Sequence, residues 1–264
     1  MIKTYQNIKN YIHVWFGKVS FSLLDQALFS GTNFIFNILL VRWLSVQEYG
    51  IYSILFTVFL VISGIHNSLI LEPMQVFGPT SHQRDQYQYT IINVKLHFFI
   101  SLLISAVLFS SSILAYYLFP EFLTTILSLA TFLPLILLFW LYRSVCYMNL
   151  NPKASFYGTL CYFIITIILL MIIQLFSKIT GFLGFLIPGV SSLITVIGFQ
   201  KTIYGKNMNV FNNTPIHDLV SVIKENWEYG KWMLGASLLY SLGTLIYAPL
   251  IGVLIGIPQA GAYR

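Results

Sequence analysis

Polar side chains on one side of a predicted helix interrupt an apolar stretch, residues 21–52, that is long enough for one membrane span. At about 100° per residue, they fall within an arc of about 140° on a helix: Ser22, Asp25, Gln26, Ser30, Asn33 and Asn37. Hydrocarbon solvates neither carboxylates nor amides, so such a stripe must face protein or water. The pattern predicts a helix with one face toward lipid and the other toward a polar interior.

Asp25 is the acidic residue of this stripe and the main candidate for chemistry. An ionisable group inside a span is a candidate proton or cation site, or it sets the charge of a cavity. The alternative is a helix-packing carboxylate that is bonded to a neighbouring Ser or Lys. The amides of Gln26, Asn33 and Asn37 offer donors and acceptors to a ligand, or equally to neighbouring helices.

Three further candidates lie outside this stripe. His66 and Asn67 fall in the second apolar run, where His66 either titrates during a functional cycle or stays neutral beside a hydrogen-bonding neighbour. Arg143 is flanked by the aromatic residues Trp140 and Tyr147. Its guanidinium suits a phosphate group, although a cation there also fits the charge bias that sets membrane orientation.

The composition places the chain in a bilayer. Its 264 residues are 57% hydrophobic and only 8% charged, against roughly 25% charged in soluble domains. The net charge of +6 is spread between apolar runs, which argues against nucleic acid as a partner.

Cys146 and Cys161 lack metal-ligand spacing and are interpreted as packing residues. No His, Asp or Glu cluster has the spacing of a catalytic or metal centre, so an enzyme is not expected.

Apolar runs of spanning length predict about seven membrane helices, at 20–41, 50–71, 91–118, 122–147, 155–176, 179–200 and 230–256. Eleven of the 14 Lys and Arg residues fall on one side of these spans, which predicts a multi-pass protein of the inner (cytoplasmic) membrane with a cytoplasmic N-terminus. We expect four segments: an interfacial amphipathic helix at 1–19, a first transmembrane lobe of about six spans at 20–204, a cytoplasmic linker with an amphipathic helix at 205–229, and the first span of an incomplete second lobe at 230–264.

A weak internal repeat indicates that the chain has two related parts. Shifted by 211 residues, residues 28–30 fall on 239–241, and the Gly-x-Tyr that begins at Gly50 falls on the one that begins at Gly261. Each copy follows an amphipathic segment that contains Trp. Many transporters are built from repeats, with the substrate path between the halves.

Several motifs, in their order and spacing, carry a family resemblance: Asp25-Gln26-Ala27-Leu28-x-Ser30-Gly31-x-Asn33-Phe34, Arg42-Trp43-Leu44-Ser45-x-x-Glu48-Tyr49-Gly50-x-Tyr52, His66-Asn67, Leu71-Glu72-Pro73-Met74 and Trp227-x-Tyr229-Gly230-Lys231-Trp232. They resemble polysaccharide flippases of the O-antigen and capsule type, within the multidrug/oligosaccharidyl-lipid/polysaccharide exporter superfamily. The resemblance runs over nearly the whole chain and is strongest in residues 20–80 and 225–264.

The resemblance implies an all-α integral membrane protein: the N-terminal six-helix lobe of such a flippase, plus the first helix of the second lobe. In the family, two bundles surround a cavity and move a polyprenyl-diphosphate-linked saccharide between leaflets by alternating access. Seven residues would then form the site: Asp25, Gln26, Asn33, Asn37, His66 and Asn67 at the cavity or a coupling ion, and Arg143 at the diphosphate.

The implied partners are the lipid-linked saccharide, the bilayer and other membrane proteins of polysaccharide assembly. No cofactor is expected, and coupling to a proton or a sodium gradient stays open.

Because the chain has about one lobe, we expect a truncated flippase that does not transport alone as a monomer. Two alternative functions also stay open: a cation-coupled exporter of small amphiphiles or drugs, and an integral-membrane glycosyltransferase or polymerase.

Overall fold

The computed structural model describes the backbone of residues 2–204 and 216–263, with side chains from residue 15 to 199 and from 218 to 262. Every regular element in these ranges is helical. The α-helices, in chain order, are α1 (Ile2–Trp43), α2 (Val46–His66), α3 (Glu72–Phe77), α4 (Gln86–Leu118), α5 (Leu123–Met148), α6 (Pro152–Phe176), α7 (Leu183–Tyr204), α8 (Ile216–Thr244), α9 (Tyr247–Leu254) and α10 (Ile257–Tyr263). A π-helical turn, Asn67–Leu71, joins α2 to α3, and a 3₁₀ turn, Pro120–Phe122, precedes α5.

Five helical stretches are long and apolar enough to cross a membrane: Trp15–Trp43, Val46–Phe77, Gln86–Leu118, Pro120–Met148 and Pro152–Phe176. Helices α8 and α9 together form a sixth candidate, bent by 41° at the break between them. The apolar part of α7, Leu183–Phe199, is shorter. It rises about 26 Å, less than the roughly 30 Å of a hydrocarbon core. The described residues therefore hold five or six spanning candidates, where the sequence predicted about seven.

Two of the predicted segment boundaries fall inside continuous helices. Helix α1 includes both the predicted interfacial helix, 1–19, and the first predicted span. Helix α8 crosses the predicted boundary at 229/230 between the linker and the second lobe. Only glycine interrupts the sequence at these two places, and one glycine costs a helix about 1 kcal/mol, which is too little to end it. The rest of the predicted linker, 205–215, lies outside the described residues.

Helix α5 supplies much of the apolar centre of the bundle. It packs against both α4 and α7, while α1 packs on α6 and α6 packs on α7. Leu129, Leu133 and Leu137 recur at every fourth position of α5, and all three are fully buried. Because this spacing keeps side chains on one helix face, they form a continuous apolar stripe at the core.

Large apolar side chains also cover the outside of the bundle. Leu23, Leu24 and Phe34 on α1 are more than half exposed, as are Phe99 and Leu103 on α4. Soluble monomers rarely expose apolar surface on this scale. Together with the long apolar helices, this surface indicates an all-α membrane protein.

Helix α8 docks onto the bundle through polar contacts and one close backbone approach. Gln88 Nε2 donates to Asp218 Oδ2 at 2.7 Å, and Asn226 Nδ2 donates to Asn93 Oδ1 at 3.0 Å. A Cβ at Gly230 would lie 2.6 Å from a backbone oxygen of the π-helical turn. Glycine therefore lets α8 cross this turn in direct backbone contact.

The two copies of the Gly-x-Tyr repeat meet in the fold. Helix α10 packs on α2, and a Cβ at Gly261 would lie 3.1 Å from Gly50 N. A Cβ at Gly50 would lie only 2.1 Å from the carbonyl oxygen of Ile257. A backbone oxygen cannot move aside as a flexible side chain does, so this contact requires glycine at Gly50.

The substitution Gly50→Ala is expected to lower the free energy of unfolding by about 1–3 kcal/mol, because its methyl group overlaps the α10 backbone. The matched control is Gly31→Ala on α1, where a Cβ would meet no atom within 4 Å. This control is expected to leave stability unchanged or raise it by up to about 1 kcal/mol through helix propensity. Thermal unfolding in detergent measures both variants, and equal Tm values would contradict the close α2–α10 contact.

Candidate functional site

Asp25 is fully buried where α1 meets α5 and α6. Its Oδ2 accepts hydrogen bonds from Arg143 Nη2 and from Ser155 Oγ, each at 2.9 Å, and also from the Tyr147 hydroxyl. Its Oδ1 accepts a hydrogen bond from Thr159 Oγ1. These five residues are termed the Asp25 centre. A carboxylate has about four acceptor positions, so the four donors satisfy it fully.

Each helix of the Asp25 centre contributes residues from one face. Arg143 and Tyr147 are four residues apart on α5, and Ser155 and Thr159 are four residues apart on α6. Residues at this spacing lie one above the other on a helix. The two pairs therefore enclose the single carboxylate that α1 presents.

Arg143 is held from two directions, and its side chain is only 11% exposed. Its Nη2 also reaches Gln26 Oε1 at 3.4 Å, and its Cζ lies 4.0 Å from the centroid of the Phe29 ring. Among the described residues, Arg143 Nε has no hydrogen-bond partner. The guanidinium charge is thus balanced by Asp25, while at least one donor stays available.

Asn33 and Asn37, about one turn apart on α1, line two hollows. A cavity of about 160 Å³, termed the α1 cavity, lies among α1, α2, α5, α6 and α7, and aromatic side chains that include Trp140 and Tyr162 form much of its wall. A cleft of about 610 Å³, termed the α1 cleft, lies between α1, α2 and α10. The two hollows share both asparagines and Phe56.

The Asn37 side chain is incompletely hydrogen-bonded. Its Nδ2 donates to the Asn33 carbonyl at 2.7 Å, but its buried Oδ1 has no partner among the described residues. An unpaired buried acceptor costs about 1–3 kcal/mol, and such atoms are rare in native structures. Asn37, which lines both hollows, thus keeps an acceptor that no described protein group uses.

Phe29 connects the Asp25 centre to the α1 cavity. One face of its ring lies against the Arg143 guanidinium, and the residue also lines the cavity. Its ring meets Trp140 edge to face, with 5.9 Å between the centroids. A charged pair and an amide-lined hollow therefore lie on either side of one aromatic side chain.

The remaining sequence candidates lie elsewhere. His66 is fully buried and pairs with His97, and Asn67 Nδ2 donates to Glu72 Oε1 at 2.6 Å. Neither His66 nor Asn67 lines the α1 cavity or the α1 cleft. The structure thus brings Asp25, Gln26 and Arg143 together, places Asn33 and Asn37 beside them, and separates the other two.

Sequence reasoning missed Ser155 and Thr159 of the Asp25 centre, and also His97, the partner of His66. It named Trp140 and Tyr147 only as neighbours of Arg143. A usable signal was present, because the hydroxyl residues of α6 recur four positions apart inside an otherwise apolar span. That pattern is the same one that singled out α1. It does not show which polar stripes face each other.

Comparisons of the chain with protein-family models, with curated proteins and with solved structures found no match. The fold and the buried polar groups define the chain as an all-α protein with membrane-spanning helices. Any narrower function has to be argued from the Asp25 centre and the two hollows.

Proposed function

We propose that the chain is a membrane transporter, or one lobe of one, that moves a polyprenyl-diphosphate-linked oligosaccharide across the cytoplasmic membrane for surface polysaccharide synthesis. One observation carries this proposal: Asn37, which lines a cleft of about 610 Å³, has a buried Oδ1 without a hydrogen-bond partner among the described residues. Ligand pockets typically have volumes of about 300–1,000 Å³. The resemblance of the α1 motif, which includes Asn33, supports the same function.

The lining of the α1 cleft suits an amphipathic substrate. Its amides, on Asn33 and Asn37, can donate to and accept from saccharide hydroxyls. Its other walls are apolar, and they include Phe34 and Ile38, which are also exposed on the outside of α1. A lipid-linked saccharide needs both surfaces, one for its sugars and one for its hydrocarbon tail.

In this proposal the Asp25 centre positions α1. The carboxylate is already paired with Arg143 and three hydroxyls, so it fixes the rotation of α1 against α5 and α6. That rotation turns the asparagines toward the hollows. A diphosphate contact by Arg143 would need a guanidinium donor other than Nη2, which is held by Asp25.

The apolar character of the α1 cleft also favours a second candidate, a cation-coupled exporter of small amphiphiles. Aromatic residues such as Tyr49 and Phe56 line it and would pack against a hydrophobic drug. The two candidate functions differ in substrate, so a single strain that lacks the gene distinguishes them.

Deleting the gene for this chain is expected to make lipid-linked saccharide accumulate inside the cell while surface polysaccharide decreases. The substrate would still be made, but it would no longer reach the outer leaflet. Extraction and mass spectrometry of the lipid-linked saccharide measure this, with a strain that carries the gene on a plasmid as the control. Unchanged polysaccharide together with increased retention of a fluorescent cation would instead establish the amphiphile exporter.

We also propose that the N-terminus is cytoplasmic, because eleven of the 14 basic residues fall on one predicted side. A reporter that is active only in the cytoplasm, fused after Arg84 in the connection between α3 and α4, is then expected to be active. A periplasmic reporter at the same position is expected to be silent. The opposite result would reverse the proposed orientation.

A further inference from the structure

Two histidines from different helices form a buried pair that the proposed function does not yet use. His66 is the last residue of α2, and His97 lies within α4. Both are fully buried, and His66 Nε2 lies 2.9 Å from His97 Nδ1. The rings are nearly perpendicular, with 5.1 Å between their centroids. One hydrogen bond therefore joins α2 to α4 through two imidazoles.

The other two ring nitrogens decide how protons are distributed in this pair. His97 Nε2 has no hydrogen bond of good geometry, although the Pro134 carbonyl on α5 lies near the ring. That carbonyl favours a proton on His97 Nε2, which leaves His97 Nδ1 as the acceptor and His66 Nε2 as the donor. His66 Nδ1 is then unprotonated, and its lone pair has no hydrogen-bond partner among the described residues.

We propose that His66 and His97 form a proton-binding site that takes up one proton per pair. The proton adds to His66 Nδ1, and the resulting imidazolium donates through Nε2–H to His97 Nδ1. Such a charge-assisted bond is stronger than the neutral one and offsets part of the cost of burying the charge. A second proton would place two like charges within one hydrogen bond of each other, so the site holds only one.

Several charged groups on the elements packed around the pair are engaged elsewhere. Glu72 accepts from Asn67, Arg143 pairs with Asp25, and Glu225 lies 2.7 Å from His82. The other charged side chains of these elements are Glu48, Lys95, Asp218, Lys224, Glu228 and Lys231. The two ring nitrogens that do not bond each other, His66 Nδ1 and His97 Nε2, have no hydrogen-bond partner among the described residues. The proton therefore adds a positive charge to a fully buried pair.

The pair lies where three elements meet. The chain leaves α-helical geometry directly after His66, and α8 crosses the π-helical turn that follows at Gly230. On α4, Asn93 is four residues before His97 and bonds Asn226 of α8. One face of α4 thus contacts α2 through His97 and α8 through Asn93. If the proposed transport function holds, a proton at this junction is the coupling ion that biases α2 against α4 and α8.

The test is ¹⁵N NMR of histidine-labelled protein in lipid bilayers as the pH is lowered stepwise from neutral. The sequence has 5 histidines, so His13→Asn, His82→Gln and His217→Asn leave only the pair. We expect one proton to bind per pair, with the signals of both rings changing together at a single midpoint. Rings that stay neutral throughout, or that titrate independently, would overturn the proposal.

The variant His66→Gln keeps an amide donor near the position of Nε2 but removes the second ring nitrogen. It is expected to abolish proton uptake at the pair while His97 stays neutral, and His82→Gln alone is the matched control that preserves it. If His66→Gln fails to fold, the titration of the unmodified pair still decides the question. Proton uptake without any binding of lipid-linked saccharide would support the proton-binding site and refute the proposed transport function. Saccharide binding without proton uptake would refute the proton-binding site and support the transport function.

Discussion

The substitution Asp25→Ala is expected to lower the free energy of unfolding by about 3–5 kcal/mol, because it leaves the Arg143 charge buried and uncompensated. Arg143 is only 11% exposed, and its Nη2 donates to Asp25 at 2.9 Å. The Ser155 and Thr159 hydroxyls would lose their acceptor at the same time. Thermal or denaturant unfolding in detergent measures the loss.

The double variant Asp25→Ala/Arg143→Leu is expected to recover most of that stability, because it removes both charges from the interior. The matched control is Glu228→Ala, which breaks an exposed pair with Lys224 at 4.0 Å and should change stability by less than about 1 kcal/mol. If Asp25→Ala and Glu228→Ala behave alike, the Asp25 centre is not a buried ion pair. Asp25→Asn is expected to insert into the membrane but to lower transport in the full-length assembly that transports, because the Arg143 charge is left unbalanced beside the α1 cavity.

Replacing both amides, Asn33→Leu/Asn37→Leu, is expected to weaken saccharide binding by about tenfold to a hundredfold. Two neutral hydrogen bonds contribute about 0.5–1.5 kcal/mol each, and each 1.4 kcal/mol is a factor of ten in affinity. The same change is expected to raise the stability of the protein, since Asn37 Oδ1 is buried without a partner among the described residues. A gain in stability with a loss of binding is the pattern expected of a residue retained for function.

A matched control for this variant is Ser110→Leu on α4. Ser110 is exposed, donates to the Ala106 carbonyl of its own helix, and lines neither hollow. Its replacement is expected to leave saccharide binding unchanged. Equal losses in the control and in the double asparagine variant would show that added bulk, rather than the missing amides, weakens binding.

The helices were predictable from the sequence because apolar runs of spanning length have few other structures in a membrane. Their ends were not, since Gly17 and Gly230 mark no break in the amphipathic pattern that would distinguish one long helix from two. The sequence also predicted that the α1 stripe is polar. It could not show that Asp25 faces Arg143, because that contact joins residues 118 positions apart.

The pairing of His66 with His97 illustrates the same limit. His66 was singled out as a titratable residue beside Asn67 in the second apolar run, whereas His97, in the third apolar run, was not. Helix periodicity gives the direction of each side chain around its own axis but not the rotation of one helix against another. That rotation is set by packing, here by the leucines of α5 and the glycine contacts of α2 with α8 and α10.

The most direct test of the proposed function is the binding of lipid-linked saccharide to the full chain in nanodiscs, compared with polyprenyl diphosphate that lacks the sugars. We expect tighter binding of the saccharide-bearing lipid, by about tenfold or more, because only its sugars can use the amides of Asn33 and Asn37. This preference is expected to disappear in Asn33→Leu/Asn37→Leu. Equal affinity of the unmodified chain for the two lipids would contradict the proposal that the α1 cleft recognises a saccharide.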